Sequence, residues 1–215
     1  PETLSGIRGV AFRDENKGRD IVHTGWRELM DLSKVPFAYS NLTEFKNRII
    51  YYESSRGCPF SCSYCLSSID KKLRFRDIEL VKKELQFFID NKVPQVKFVD
   101  RTFNCKHDHA MEIWRYITEN DNGITNFHFE ISADLLRSEE LALMKTMRPG
   151  LIQLEIGVQS TNPQTIKAIR RTMDFEKLKG IVEQIHSFGN IHQHLDLIAG
   201  LPYEGYDSFH KSFCD

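Results

Sequence analysis

The chain lacks an excess of charge of either sign: 29 lysines and arginines face 30 aspartates and glutamates, a formal net charge of −1. That removes the main electrostatic ground for a dedicated nucleic-acid or membrane-surface protein. No apolar run approaches the ~18–20 residues a membrane helix needs, and the first residues, Pro1-Glu2-Thr3, are polar and show no secretory leader. An even cysteine set is also missing. Of five cysteines, three fall within eight residues, which is not how a secreted disulfide scaffold spaces them. These absences point to a cytoplasmic globular protein with one cysteine-rich spot. At 215 residues there is room for one substantial domain or two small ones. A first residue other than Met is read as the mark of a piece cut from something longer.

Residues 1–47 read as a hairpin and connecting arm. Ile7 to Phe12 has strand character, Asp14-Glu15-Asn16-Lys17-Gly18 is a turn cluster, and Asp20 to His23 forms the returning strand. Val35-Pro36-Phe37 then leads into Arg48-Ile49-Ile50-Tyr51-Tyr52. From there to residue 215 strands alternate with helices. Strands are expected over Ile49–Ser54, Gln95–Asp100, Phe127–Ser132, Leu151–Val158 and Ile191–Ala199. Asp77 and Ser138 are expected helix N-caps, Asp121-Asn122-Gly123 and Gly189-Asn190 are helix stops, and Tyr206 to Phe213 begins a helix. This alternation implies parallel strands joined by right-handed crossovers, in a doubly wound sheet or part of a (β/α) barrel.

Alternation within the strands decides between them. A doubly wound sheet is covered on both faces, and its strands read as continuous apolar runs. Here Ile152, Leu154, Ile156 and Val158 oppose Gln153, Glu155, Gly157 and Gln159. Phe127, Phe129 and Ile131 oppose His128, Glu130 and Ser132, while Ile191, Leu195 and Leu197 oppose His192, His194 and Asp196. Three strands thus carry one apolar and one polar face, as a barrel lumen holding a polar ligand requires. The second strand departs from this, because Val96 and Phe98 share the parity of Asp100. An antiparallel sheet with one wet face is the alternative, which the intervening helices disfavour. The expected fold is α/β: a partial (β/α) TIM-type barrel of about five parallel strands, with an N-terminal hairpin and arm, truncated at its C-terminal end.

Cys58, Cys62 and Cys65 have the spacing C-x3-C-x2-C just after the first barrel strand, at the end where barrel sites are built. Three thiolates on one loop suit a four-iron cluster with one iron left open. Structural zinc wants a fourth donor, which Cys105 or a histidine would have to supply. Three unrelated buried thiols are the remaining alternative.

The segment from Glu53 to Cys65 resembles the signature loop of the radical S-adenosylmethionine (SAM) enzymes, and the similarity extends from Arg48 onward. The resemblance implies a [4Fe–4S] cluster on Cys58, Cys62 and Cys65. It also implies SAM chelated to the fourth iron and cleaved reductively to a 5′-deoxyadenosyl radical, with a flavodoxin- or ferredoxin-type electron donor. Tyr64 would lie near the adenine. Glu155 to Ser160 and Asp196 to Pro202 resemble strand motifs of the branch that includes oxygen-independent coproporphyrinogen oxidases and methylthiotransferases. On that resemblance Gln159 and Asp196 contact the SAM ribose, Arg171 the carboxylate, and Glu130 is a further contact. Where a Gly-Gly-Glu-like segment is usual, the chain has Val99-Asp100-Arg101-Thr102-Phe103. This is similar to the Asp-x-x-Phe form of radical SAM proteins with an upstream cobalamin-binding domain, and it implies Asp100 for the SAM amino group. Cobalamin would then enter through a domain absent from this chain, with methyl or one-carbon transfer to an unknown substrate. A methylthiotransferase is a rival that needs a second cluster and an RNA-binding module; a non-catalytic metal-stabilised binding domain is another.

Four features stay outside that scheme. His128, His192 and His194 share the polar face as water-linked lumen residues or substrate contacts. Cys105 follows the second strand, as inert packing or a thiol near the site. Cys214 carries no signal. Lys71-Lys72-Leu73-Arg74-Phe75-Arg76 is a solvated basic stretch or a face for an anionic substrate.

Overall fold

The computed structural model describes residues 3–15, 18–46 and 48–215. Pro1, Glu2 and the Asn16-Lys17 part of the expected turn lie outside the described residues. The chain opens with an antiparallel hairpin of β1 (Ala11–Asp14) and β2 (Asp20–His23), with Ala11 opposite His23. The first strand starts later than Ile7. A single 3-10 turn occupies Leu4–Gly6, and Gly9 at φ +80° bends the backbone out of the extended region. Farther on, Leu32 is buried, and Phe37, Tyr39 and Phe45 pack ring to ring; Phe37 and Tyr39 also meet Phe88, tilted and edge-on.

β3 (Ile50–Tyr52) begins the main sheet. A small antiparallel pair, β4 (Ser55–Arg56) and β5 (Arg74–Phe75), then brackets the cysteine segment. α1 (Ile78–Asp90) starts where expected, with the Asp77 carboxylate accepting the Glu79 and Leu80 N–H groups. β6 (Gln95–Phe98), α2 (His107–Glu119) and β7 (Asn126–Ile131) follow. Next come α3 (Ser138–Thr146) and β8 (Ile152–Gln159). The N-cap of α3 is Arg137 rather than Ser138; its N–H donates to the Glu140 carboxylate at 2.8 Å, and Ser138 becomes the first helical residue. α4 (Pro163–Ala168) is a short unforeseen helix opened by an Asn162 cap and a proline at its first position. α5 (Phe175–Phe188) ends on Gly189 at φ +70°, the left-handed stop expected there. β9 (His192–Leu197) and α6 (Tyr206–Cys214) complete the chain.

The main sheet runs β3-β6-β7-β8-β9 with every pair parallel, the partial (β/α) barrel that the strand parity predicts. Its apolar face meets the helices. Val96, Phe98, Phe127, Phe129, Ile152, Leu154 and Ile156 pack with Val81, Leu85 and Phe88 of α1 and with Ile113, Trp114 and Ile117 of α2. Each fully buried residue of this size contributes about 1.5–3 kcal/mol, so the helix layer locks the sheet and leaves the opposite face to carry polar groups. Among the described residues no helix is long and apolar enough to cross a membrane.

Candidate functional site

The cysteine segment is held from below by the strand pair it leaves and rejoins. Gly57 sits at φ +98°, and a Cβ there would lie 2.6 Å from the Lys72 carbonyl oxygen, so only glycine lets the loop close. The Cys58 N–H donates to the Asp70 carbonyl at 3.0 Å, and the Lys71 ammonium donates to the Phe60 carbonyl and the Ser61 hydroxyl. On the far side the Ser63 N–H donates to the Ile169 carbonyl at 2.9 Å, docking the loop two residues before Arg171. The basic stretch is therefore only partly solvated: Lys71 and Lys72 are exposed, whereas Arg74 is half-buried and Arg76 buried, each against a carboxylate. Lys71 braces the loop, Arg74 pairs with Asp70 at 2.6 Å, and Arg76 is buried against Glu84.

Cys58, Cys62 and Cys65 all line one cavity of about 200 Å³, together with Tyr64, Glu130, Gln159, Arg171 and Asp196. Eight of the nine residues expected at the site thus converge from the loop, β7, β8, β9 and the turn after α4. Gln159 ends β8 at φ +73°, next to an irregularity in the β8–β9 register, and Arg170 sits at φ +54°. Non-glycine residues held in this region concentrate where function constrains the backbone. Arg171 donates to the Gly157 carbonyl and, at 3.2 Å, to the Tyr64 hydroxyl, while its Nε is buried with no partner. Gly157 leaves room for the Gln159 amide, which a Cβ at that position would strike. Burial raises the Glu130 and Asp196 carboxyls above the usual carboxylate range, helped in both by the nearby charge of Glu155.

Asp100 is not brought to the cavity. It is fully buried, accepting from the Ser54 N–H at 3.0 Å, the Ser54 hydroxyl at 2.8 Å and the Ser55 hydroxyl at 2.5 Å. The reason is its parity: β6 turns Val96 and Phe98 toward the helices, and Asp100 continues on their side of the strand. Its carboxylate therefore ties the end of β6 to the stretch just before the cysteine loop. Cys105 also lies outside the cavity lining, and burial, then the charges of Asp100 and Cys58, push its thiol up to about 11. It is thus a protonated thiol near neutral pH. His128, His192 and His194 form a ring cluster lower in the lumen, outside the cavity lining. His192 and His194 lie 4.4 Å apart, and His128 Nε2 is 3.1 Å from Glu155. Lys97, which the sequence reading did not single out, reaches Glu155 at 2.8 Å.

The Ser54 hydroxyl also meets His109 Nε2 at 3.1 Å, so Asp100 and His109 share a hydroxyl partner. Burial raises Asp100 to about 6 and lowers His109 to about 4. The signs oppose. For Asp100 the folded state holds the extra proton, so stability falls as pH rises from about 4 to about 6. For His109 the unfolded state holds it, so stability grows as pH rises from about 4 to about 6.5. Asp100→Asn is expected to unmask the histidine, giving stability that climbs over this window by up to about 1.4 kcal/mol per pH unit relative to wild type. His109→Gln should do the reverse. Urea titrations of the three proteins between pH 4 and 6.5 check this, and parallel curves would refute it.

A parallel partial barrel carrying a three-thiol loop at the C-terminal end of its first strand defines a cofactor-binding α/β barrel. The family model of the Radical SAM superfamily matches residues 52–213, and the chain belongs to that superfamily. It is 27% identical over 166 residues to the 2-(S-pantetheinyl)-carbapenam-3-carboxylate methyltransferase of Streptantibioticus cattleyicolor, covering 74% of this chain and 24% of that protein. To the cobalamin-dependent radical SAM methyltransferase TokK of Streptomyces tokunonensis it is 26% identical over 166 residues, with the same 74% and 24% coverage. Among solved structures it resembles the radical SAM methyltransferase TsrM from Kitasatospora setae with cobalamin and a [4Fe–4S] cluster bound. That match has a TM-score of 0.77 at 16% identity over 99% of this chain and 44% of that one, which establishes the shared fold. The chain spans about a quarter of the length of the two curated relatives.

Proposed function

We propose that this chain is the core of an enzyme in which Cys58, Cys62 and Cys65 hold a [4Fe–4S] cluster and the polar face beside them holds SAM. The observation that carries this reading is the meeting of the three thiols with Glu130, Gln159, Arg171 and Asp196 around one cavity. The donor chemistry suits both groups. Three thiolates leave one iron of a cubane open. Among the described residues no three His, Cys, Asp or Glu side chains gather as a single ion needs, whereas a cubane takes its thiolates on separate irons. The unpartnered Arg171 Nε is a buried cationic donor suited to a carboxylate. Gln159 and Asp196 suit ribose hydroxyls, Glu130 a hydroxyl or ammonium group, and Tyr64 a flat base.

When bound, the cluster and SAM supply one-electron chemistry and a 5′-deoxyadenosyl radical. The chain's own residues bind, orient and exclude water. Arg171 holds the carboxylate end and bonds to Tyr64, so the two ends of the ligand are fixed by one linked pair. Ser54, Ser55 and Asp100 keep the loop's base in register. The relatives are named as methyltransferases, one of them cobalamin-dependent. By analogy, residues 1–47 connect a cobalamin-binding domain to the core at 48–215 in the whole protein. That protein transfers a methyl or other one-carbon unit, with electrons from a flavodoxin- or ferredoxin-type donor.

Anaerobic reconstitution of the whole protein with iron and sulfide tests the reading. About four irons per chain, and 5′-deoxyadenosine formed from SAM under reduction, are expected. Stoichiometric zinc without SAM cleavage would overturn it.

A further inference from the structure

We infer that Lys97 is a positioning residue for the ligand in this cavity: it holds Glu155, and through it Glu130, in the orientation the ligand meets. The inference rests on the SAM reading above. Lys97 stands on the lumen side of β6, opposite in parity to the fully buried Val96 and Phe98, and in register with His128 of β7. Its side chain crosses β7 to reach β8. The ammonium lies 2.8 Å from Glu155 Oε2 and 3.9 Å from Glu130 Oε1. His128 Nε2 approaches the same Glu155 oxygen at 3.1 Å.

One carboxylate oxygen of Glu155 is thus held by the Lys97 hydrogen bond, with His128 Nε2 close by but outside hydrogen-bonding geometry, and the other oxygen is left for a ligand. Glu130 and Glu155 face each other directly across the β7–β8 pairing, and both line the cavity, whereas Lys97 and His128 lie behind them. Two carboxylates side by side repel and turn apart unless a cation stands between them. Burial works against ionisation of Glu155, and the Lys97 hydrogen bond and charge outweigh it, so its carboxyl lies below the usual range while that of Glu130 lies above. The cation therefore differentiates the two acids as well as spacing them.

A lysine near a sulfonium ligand has two opposing effects, and their signs separate the roles. Acting as a bare charge, it repels SAM, and removing it tightens SAM binding without touching S-adenosylhomocysteine, which has no sulfonium. Acting as a positioning group, its loss weakens both. The test measures equilibrium binding of SAM and S-adenosylhomocysteine to the cluster-loaded full-length protein. It compares wild type, Lys97→Met, Lys97→Arg and Lys97→Met in a Glu155→Gln background, with iron content measured throughout. Lys97→Met is expected to weaken both ligands about tenfold at unchanged iron content. Lys97→Arg should restore binding to within about threefold, and in the Glu155→Gln background the Lys97→Met effect should fall below about twofold. If Lys97→Met does not fold, Lys97→Gln takes its place in each comparison. Unchanged binding, tighter SAM binding alone, or an undiminished effect on Glu155→Gln would overturn the role of Lys97 while leaving the site intact. A wild type that binds neither ligand would overturn the cofactor site itself.

Discussion

A Cys62→Ala protein is expected to leave anaerobic reconstitution colourless, its iron falling from about four per chain to near zero, with no 5′-deoxyadenosine formed. Cys62 is buried in the middle of the loop, and what the substitution removes is chemical rather than architectural. The loop's closure depends on backbone groups that alanine keeps: the Cys65 N–H on the Cys62 carbonyl at 3.2 Å and the Ser63 N–H on Ile169 at 2.9 Å. Losing one buried sulfur should cost about 1 kcal/mol, a shift of about 2–4 °C in a domain of this size. The fold therefore survives while a cubane is left with two protein corners. Cys105→Ala is the matched control. Cys105 is outside the cavity and held protonated, so its removal should leave iron and turnover intact. Metal lost in Cys105→Ala as well would mean a closed site with Cys105 as fourth ligand, the arrangement that the spacing alone left open for zinc, and iron retained in Cys62→Ala would overturn the three-cysteine site.

Much of the barrel was legible because a strand with two different environments writes them into alternate residues. The polar positions of β7, β8 and β9 carry Glu130, Glu155, Gln159 and Asp196, and all four share the cavity with the cysteines. Helix ends at Asp77 and Gly189 were legible for an equally local reason, since a cap is satisfied within three residues. The same parity logic, carried through β6, turns Asp100 away from the cavity and Lys97 into the lumen. The resemblance to a family motif implied the opposite for Asp100, because a motif records residue identity and not which side of the strand it faces. Lys97 gives no signal in the sequence, because a lone lysine in a strand of mixed pattern has many solvated explanations. Only the crossing to Glu155, 58 residues away, distinguishes it.

Long-range pairing also hid the role of the basic stretch. Nothing in Lys71 to Arg76 says that β5 pairs with β4 or that Arg76 turns inward. Arg76 is 7% exposed and Glu84 4%. The guanidinium donates to both Glu84 oxygens, at 2.8 and 2.5 Å, and to the carbonyls of Leu32 and Val35. Tyr52 completes the set, its hydroxyl donating to Glu84 at 2.6 Å. One side chain thus ties the N-terminal arm, the first barrel strand and α1 into one unit.

Arg76→Leu is accordingly expected to destabilise the protein by about 3–5 kcal/mol, far more than any surface arginine in the same stretch. The magnitude follows from what remains behind. Glu84 would keep its charge in a dry site with only the Tyr52 hydroxyl, and two arm carbonyls would lose their donor. Arg74→Leu, whose Asp70 partner is 42% exposed, should cost no more than about 1 kcal/mol. If the loss at Arg76 reflects a stranded charge, pairing Arg76→Leu with Glu84→Leu should recover most of it, because an ion pair replaced whole by apolar side chains is often neutral. What the double variant should not recover is the arm. The Leu32 and Val35 carbonyls still lack their guanidinium, so limited proteolysis should cut near residues 32–36 in both variants and leave wild type intact. Urea unfolding of the four proteins decides the matter. An Arg76→Leu protein as stable as Arg74→Leu would mean that the Phe37, Tyr39 and Phe88 ring contacts and the Asp77 N–H bond to the Ser33 hydroxyl are enough to hold the arm to α1.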